Sequence, residues 1–190
     1  MDSEKLRTGI FALRTRRFGS VAECMVQRLL RYGKAKSLFH DLFDEEAHRR
    51  IEVKFSTVQK KAERTVTVET VLDCIADAVK ERKPVPFSDW RNYKFDCNIQ
   101  QVKRKEFDVL YYGLFFSDCI KIFKLASREI KEKKFGGMIG YADKQHKGNI
   151  GEGQFHITEK NLQLHVDHYL HKTLSYDQLL KLLAPSSPKK

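Results

Sequence analysis

The chain has 190 residues, 36 Lys plus Arg against 25 Asp plus Glu, and a formal net charge of +11 with a pI near 9.5. This length suffices for one domain with its own core, and the basic balance points to a polyanionic partner. No apolar run approaches the ~20 residues of a membrane helix, and Cys24, Cys74, Cys97 and Cys119 form no Cys-x-x-Cys pair, which argues against a thiolate zinc site, so a soluble, cytoplasmic protein with reduced thiols is expected.

In chain order, residues 19–32 read as an amphipathic helix with Val21, Met25, Leu29 and Tyr32 on its apolar stripe, ending at Gly33. Residues 38–43 and 50–56 are rich in aromatic and branched side chains and read as two strands joined by the polar turn 44–48, a hairpin. Residues 68–82 read as a second helix, with Val71, Ile75 and Val79 recurring every four residues and Leu72 beside them, stopped at Pro84 and Pro86. Residues 107–116 and 119–125 form a very apolar hairpin, expected to be buried on both faces. A short polar helix over 127–134, a long glycine-rich loop over 135–153, closing helices over 161–171 and 175–183, and a tail from Pro185 to Lys190 complete the reading.

The chemistry concentrates in the first hairpin. Residues two apart in a strand share a face, so Glu52 and Lys54 stand side by side while Ile51, Val53 and Phe55 face a core. Asp41, placed in the preceding strand, can reach the same patch. Mg²⁺ takes hard oxygen ligands and usually keeps several waters, so one or two carboxylates plus a substrate phosphate make a site for it. Asp41 and Glu52 supply that donor set, and Lys54 adds a point charge beside a phosphate. A Glu-x-Lys pair is also common on solvated strand faces, so the pattern gains weight only from its surroundings.

Those surroundings resemble the PD-(D/E)XK nuclease superfamily, and within it type II restriction endonucleases, whose motif runs Asp, about ten residues, then Ile-Glu-Val-Lys. Here the matching residues are Asp41 and Ile51, Glu52, Val53 and Lys54. The likeness begins in the helix of residues 19–30, where Glu23 matches a family glutamate near the metal site, and extends through 98–110 and 109–124 to 144–149 and 153–157. No proline precedes Asp41; His40 stands there. The resemblance implies an α/β fold with a restriction-endonuclease-like core, a mixed β-sheet flanked by α-helices, as a single nuclease domain over residues 1–184. It implies Mg²⁺, with Mn²⁺ as a substitute, held by Asp41 and Glu52, with Lys54 and Glu23 completing the catalytic set. Double-stranded DNA is the implied substrate. Cutting both strands implies a homodimer, or a heteromer with a recognition subunit. A Holliday-junction resolvase and a non-catalytic DNA-binding module are the alternatives.

Further residues are candidates for DNA contact. Gln101 and Lys103 repeat the spacing of Glu52 and Lys54 and form a rival active-site strand, although that segment reads better as leading into the strand near Phe107. Lys144, Gln145, His146 and Lys147 lie in the glycine-rich loop, where lysines suit phosphate and Gln or His suits base edges. The basic residues fall in small groups, at 14–17, 60–64, 103–105 and 131–134, as expected for a broad groove. His165, His168 and His171 are spaced for one helix face but have no acidic ligand at zinc-motif spacing, so core or surface roles are favoured.

Overall fold

The computed structural model describes residues 1–130, 140–144 and 150–185. Two helices open the chain, α1 (Ser3–Ala12) and α2 (Thr15–Leu30). Asp2 caps α1 by accepting from the Lys5 N–H at 2.8 Å. Strands β1 (Gly33–Lys34), β2 (Leu42–Asp44) and β3 (Arg49–Thr57) follow, then helix α3 (Val71–Glu81) and a 3-10 turn at Phe87–Asn92. Next come β4 (Asp96–Val102), β5 (Val109–Phe115), β6 (Ile120–Ala126), a 3-10 turn at Ser127–Glu129, β7 (Ala142–Lys144) and β8 (Ile150–Thr158). Helix α4 (Leu162–Tyr169), β9 (Leu170–Leu174) and α5 (Tyr176–Leu183) close the chain.

The result is a mixed α/β architecture with a mixed sheet flanked by helices. The main sheet has the order β1-β2-β3-β5-β6-β9, and a second runs β4-β8-β7. Within the main sheet only β3 and β5 pair in parallel, with Glu52 opposite Leu110 and Lys54 opposite Tyr112. A parallel pair cannot be joined by a tight turn; the crossover here carries α3 and β4.

Period-two alternation sorts the side chains into two cores. Ile51, Val53, Val109, Tyr111, Ile120 and Ile122 face one side, where Ile10, Phe18, Met25, Val26 and Leu179 of the helices meet them. Leu110, Tyr112, Leu114, Phe123 and Leu125 face the other, against Cys97 and Ile99 of β4, Phe155 and Ile157 of β8, and Leu162 of α4. All seven residues of β5 are buried, as expected of a strand covered on both faces. Gly113 is required within it, because an added methyl would collide with the Lys121 carbonyl oxygen and the Phe55 ring.

Several expectations need correction. The chain starts with α1, whose weakly amphipathic sequence carries little periodic signal, and α2 begins at Thr15 rather than residue 19. Residues 38–41 are not strand; pairing begins at Leu42, so Asp41 sits at the entrance to β2. The apolar stripe expected to bury the 68–82 helix faces solvent instead, and α3 has no buried residue. Only Ser127–Glu129 of the expected 127–134 helix is helical among the described residues, as a single turn. Within the expected loop 135–153 lie β7 and the start of β8, which pair antiparallel, because β4 offers β8 a second edge. The helix expected over 161–171 stops at Tyr169, and the chain becomes β9, since β6 presents an edge whose hydrogen bonds outweigh two more helical residues.

Candidate active site

The antiparallel pairing of β2 with β3 places Asp41 beside β3, where its own N–H donates to the Ile51 carbonyl at 3.1 Å. Its Oδ2 accepts from the Val53 N–H at 2.8 Å. That bond anchors the carboxylate at the backbone between Glu52 and Lys54, whose side chains project together from the face opposite Val53. Lys54 Nζ lies 2.5 Å from Glu52 Oε1. Glu52 is 8% exposed, an uncommon setting for a carboxylate.

Glu23 joins from α2, on the wall of the same cleft as Lys54. The cleft, about 380 Å³, runs between Gly19 and Glu23 of α2, residues 53–57 of β3, and Asn98, Gln100 and Gln101 of β4. The second sheet thus supplies one wall and α2 another.

The charges of the group act on one another. Burial raises Glu52 to about 7, with repulsion from Asp41 and Glu106 adding to it and Lys54 opposing. Burial also raises Glu23, and Asp41 pushes the same way against Lys54 and Lys34. For Lys54 burial acts to lower the ammonium, but attraction to Glu52, Asp41 and Glu23 outweighs it and holds the group above its ordinary range. Asp41, Glu52, Glu23 and Lys54 thus act on one another electrostatically, with burial the leading cause of the two raised carboxylates.

A small hard cation fits that donor set. Among the described residues no group of three His, Cys, Asp or Glu side chains is gathered as a ready metal cage. Mg²⁺ does not require one, since it is bound through one or two carboxylates while waters and substrate phosphate fill the remaining positions. Asp41 and Glu52 are the two carboxylates available. Glu52 is raised chiefly by its burial, and a divalent cation held beside it would favour the ionised carboxylate.

The other candidates divide. Gln101 belongs to β4 of the second sheet, at a bulge where its φ of 56° is left-handed, so it is no rival for the β3 position although it lines the same cleft. Lys103 lies at a different depression, between Glu106 at 3.8 Å and Glu152 at 3.4 Å. Lys144 is an exposed residue of β7, while Gln145, His146 and Lys147 fall outside the described residues. The three histidines do not converge. His165 is fully buried with its Nδ1 3.0 Å from the Tyr112 hydroxyl, His168 is exposed, and His171 packs on the Tyr111 ring.

Asn98 and Gln100 were not legible as site residues, because a polar side chain inside a strand carries no periodic signal. Asn98 donates to Gln154 Oε1 at 3.2 Å, while its own Oδ1 is buried without a partner at the cleft wall. A separate open groove of about 1090 Å³ is lined by Lys60, Lys61, Lys83, Lys94 and Lys160 together with Glu63, Asp96 and Glu159. Among the described residues no helix is long and apolar enough to cross a membrane. Comparison with protein-family models, with curated proteins and with solved structures finds no match for this chain.

Proposed function

We propose that the protein is a Mg²⁺-dependent DNA endonuclease with a restriction-endonuclease-like core, of the type II restriction kind or its catalytic subunit. The observation that carries this reading is the convergence of Asp41, Glu52 and Lys54 around the middle of β3, with Asp41 tied to the Val53 N–H and Glu23 adjoining. A surface Glu-x-Lys pair would be solvated, whereas here Glu52 is buried, Lys54 is partly buried, the contact is short, and the pair is electrostatically coupled to further carboxylates. When bound, the ion offers a water of lowered pKa and screens charge growing on the scissile phosphate.

The chain's own residues have separable tasks. Asp41 and Glu52 hold the cation, and the anchored carboxylate of Asp41 restricts where it can sit. Lys54 remains protonated and presents its ammonium to a phosphate oxygen, worth most in a site that water enters poorly. Glu23 flanks the entry from α2. The excess of Lys and Arg over Asp and Glu in the chain suits a polyanionic backbone as partner.

Plasmid DNA incubated with Mg²⁺ tests the reading. The wild type should nick or linearise it, excess chelator should stop cleavage, and Glu52→Gln and Lys54→Ala should each lower the rate by about a hundredfold or more while retaining DNA binding. Undiminished cleavage by Glu52→Gln would remove Glu52 from the mechanism.

A further inference from the structure

Strand β4 breaks its own alternation beside the candidate site. Cys97, Ile99 and Val102 are buried, Asn98 is half-buried, and Gln100 and Gln101 are consecutive exposed residues. The register with β8 shows why. Ile99 pairs with Phe155 and Val102 with Gly153, so three steps along β4 match two along β8, and Gln100 and Gln101 together oppose Gln154. The extra residue returns Val102 to the core and leaves two neighbouring glutamines on the opposite face. Both line the cleft that Glu23 and Lys54 also line.

The backbone at Gln101 is left-handed, with φ 56°. Among the described residues Arg31 and His48 share that conformation, but Arg31 ends α2 and His48 closes the β2–β3 turn, where a chain reversal calls for it. Gln101 lies inside a strand. Glycine takes this conformation there without steric cost, and glutamine is not among the short polar residues that adopt it readily. Burying Val102 accounts for the bulge but not for glutamine in it. The side chain is what glycine lacks, and it stands in the cleft.

The strand beneath the pair is held in place. Asn98 Nδ2 donates to Gln154 Oε1 at 3.2 Å, and Gln154 is buried. Strand β4 is the edge of the β4-β8-β7 sheet, and a two-stranded ribbon such as β4-β8 is of a size that enters the major groove of DNA. A carboxamide is neutral and carries a donor beside an acceptor. That suits N6 and N7 of adenine, and it gives less at a phosphate than a lysine would.

We propose that Gln100 and Gln101 are a base-reading pair, which hydrogen-bonds adenine in the major groove next to the phosphate that Lys54 faces. The inference rests on the reading of the chain as a DNA endonuclease and adds to it the base that the cleft selects.

Sequencing of a randomised duplex pool bound by the full-length protein, with Ca²⁺ in place of Mg²⁺, tests it. The wild type should enrich duplexes carrying A·T pairs at fixed positions, and Q100A and Q101G should each lower that preference about tenfold or more. Q101E keeps the shape, loses the donor and should move the preference from adenine toward cytosine. Because glycine adopts a φ of 56° freely, Q101G should melt no lower than the wild type, which separates loss of reading from loss of the fold. DNA bound without base preference overturns the inference, as does a Q101G or Q101E pool that keeps the wild-type preference. A Q101G that melts well below the wild type would make the glutamine a structural choice and overturn it too. A protein that binds no duplex fails the inference and the nuclease reading together, whereas enrichment without Mg²⁺-dependent cleavage counts against the nuclease reading alone.

Discussion

The carboxylate of Asp41 accepts a 2.8 Å hydrogen bond from the backbone N–H of Val53, the residue between Glu52 and Lys54. A side chain twelve positions earlier thereby holds the strand that carries the other two charges. Asp41 has a structural task as well as the proposed cation-binding one, and two substitutions separate them. Asp41→Asn keeps an oxygen able to accept from Val53 and should unfold near the wild-type temperature while cleavage falls by about a hundredfold or more. Asp41→Ala removes the acceptor too and should cost a further 1–3 kcal/mol or so of stability. Thermal melts and plasmid cleavage on both variants check this, and equal melting temperatures for the two would contradict the tether.

Glu52, raised to about 7 by burial, makes the metal-free protein pH-dependent in a defined direction. The unfolded chain ionises this group near 4.5, so between 4.5 and 7 the folded state holds a proton that the unfolded state has released. Stability from this group is complete below 4.5 and is lost as pH rises through 7. Relative to Glu52→Gln, the wild type should lose on the order of 3 kcal/mol across that window. Mg²⁺ competes with the same proton, so calorimetric titration should show affinity rising with pH up to about 7 and levelling above it. A flat affinity profile from pH 5.5 to 8 would refute the assignment.

His165 works in the opposite sense. Burial among Tyr112, Phe123 and Phe155 lowers it to about 3. Below pH 6.5 the unfolded chain takes up a proton that the folded state refuses, so stability falls with pH until about 3. His165→Phe keeps a ring stacked on Phe155 but strands the Tyr112 hydroxyl, which should cost about 1–3 kcal/mol at neutral pH. Its deficit should shrink and then reverse as pH drops toward 4. Chemical denaturation at a series of pH values measures this, and parallel curves for the two proteins would exclude a buried neutral imidazole.

Gly113 sits opposite Phe55 in the β3–β5 ladder, one residue beyond the Lys54–Tyr112 pair. Gly113→Ala forces a methyl against the Lys121 carbonyl and the Phe55 ring and should cost about 1–3 kcal/mol, lowering the melting temperature by about 2–4 °C for each kcal/mol. Since Phe55 follows Lys54 directly, the variant should also reduce activity below the melting point. An unchanged melting temperature would show that the strands separate freely there.

The features legible in the sequence were those set by local period and turn chemistry. Alternation placed Glu52 and Lys54 on one face and Ile51 and Val53 on the other, and the polar turn after Asp44 set the antiparallel β2–β3 pairing that brings Asp41 near. The unbroken apolar runs of β5 and β6 marked buried strands for the same reason. Long-range pairing decided the rest. Leu170 to Leu174 leaves the helical pattern because β6 has an open edge, and Gln101 turns into the cleft because a bulge in β4 puts it there. The heptad of α3 is an apolar stripe in any reading, but period alone cannot say whether a core or solvent lies against it, and only the packed chain leaves it uncovered. Likewise a sequence shows Glu52 as a carboxylate near a lysine; its proton affinity depends on how much of the protein closes over it.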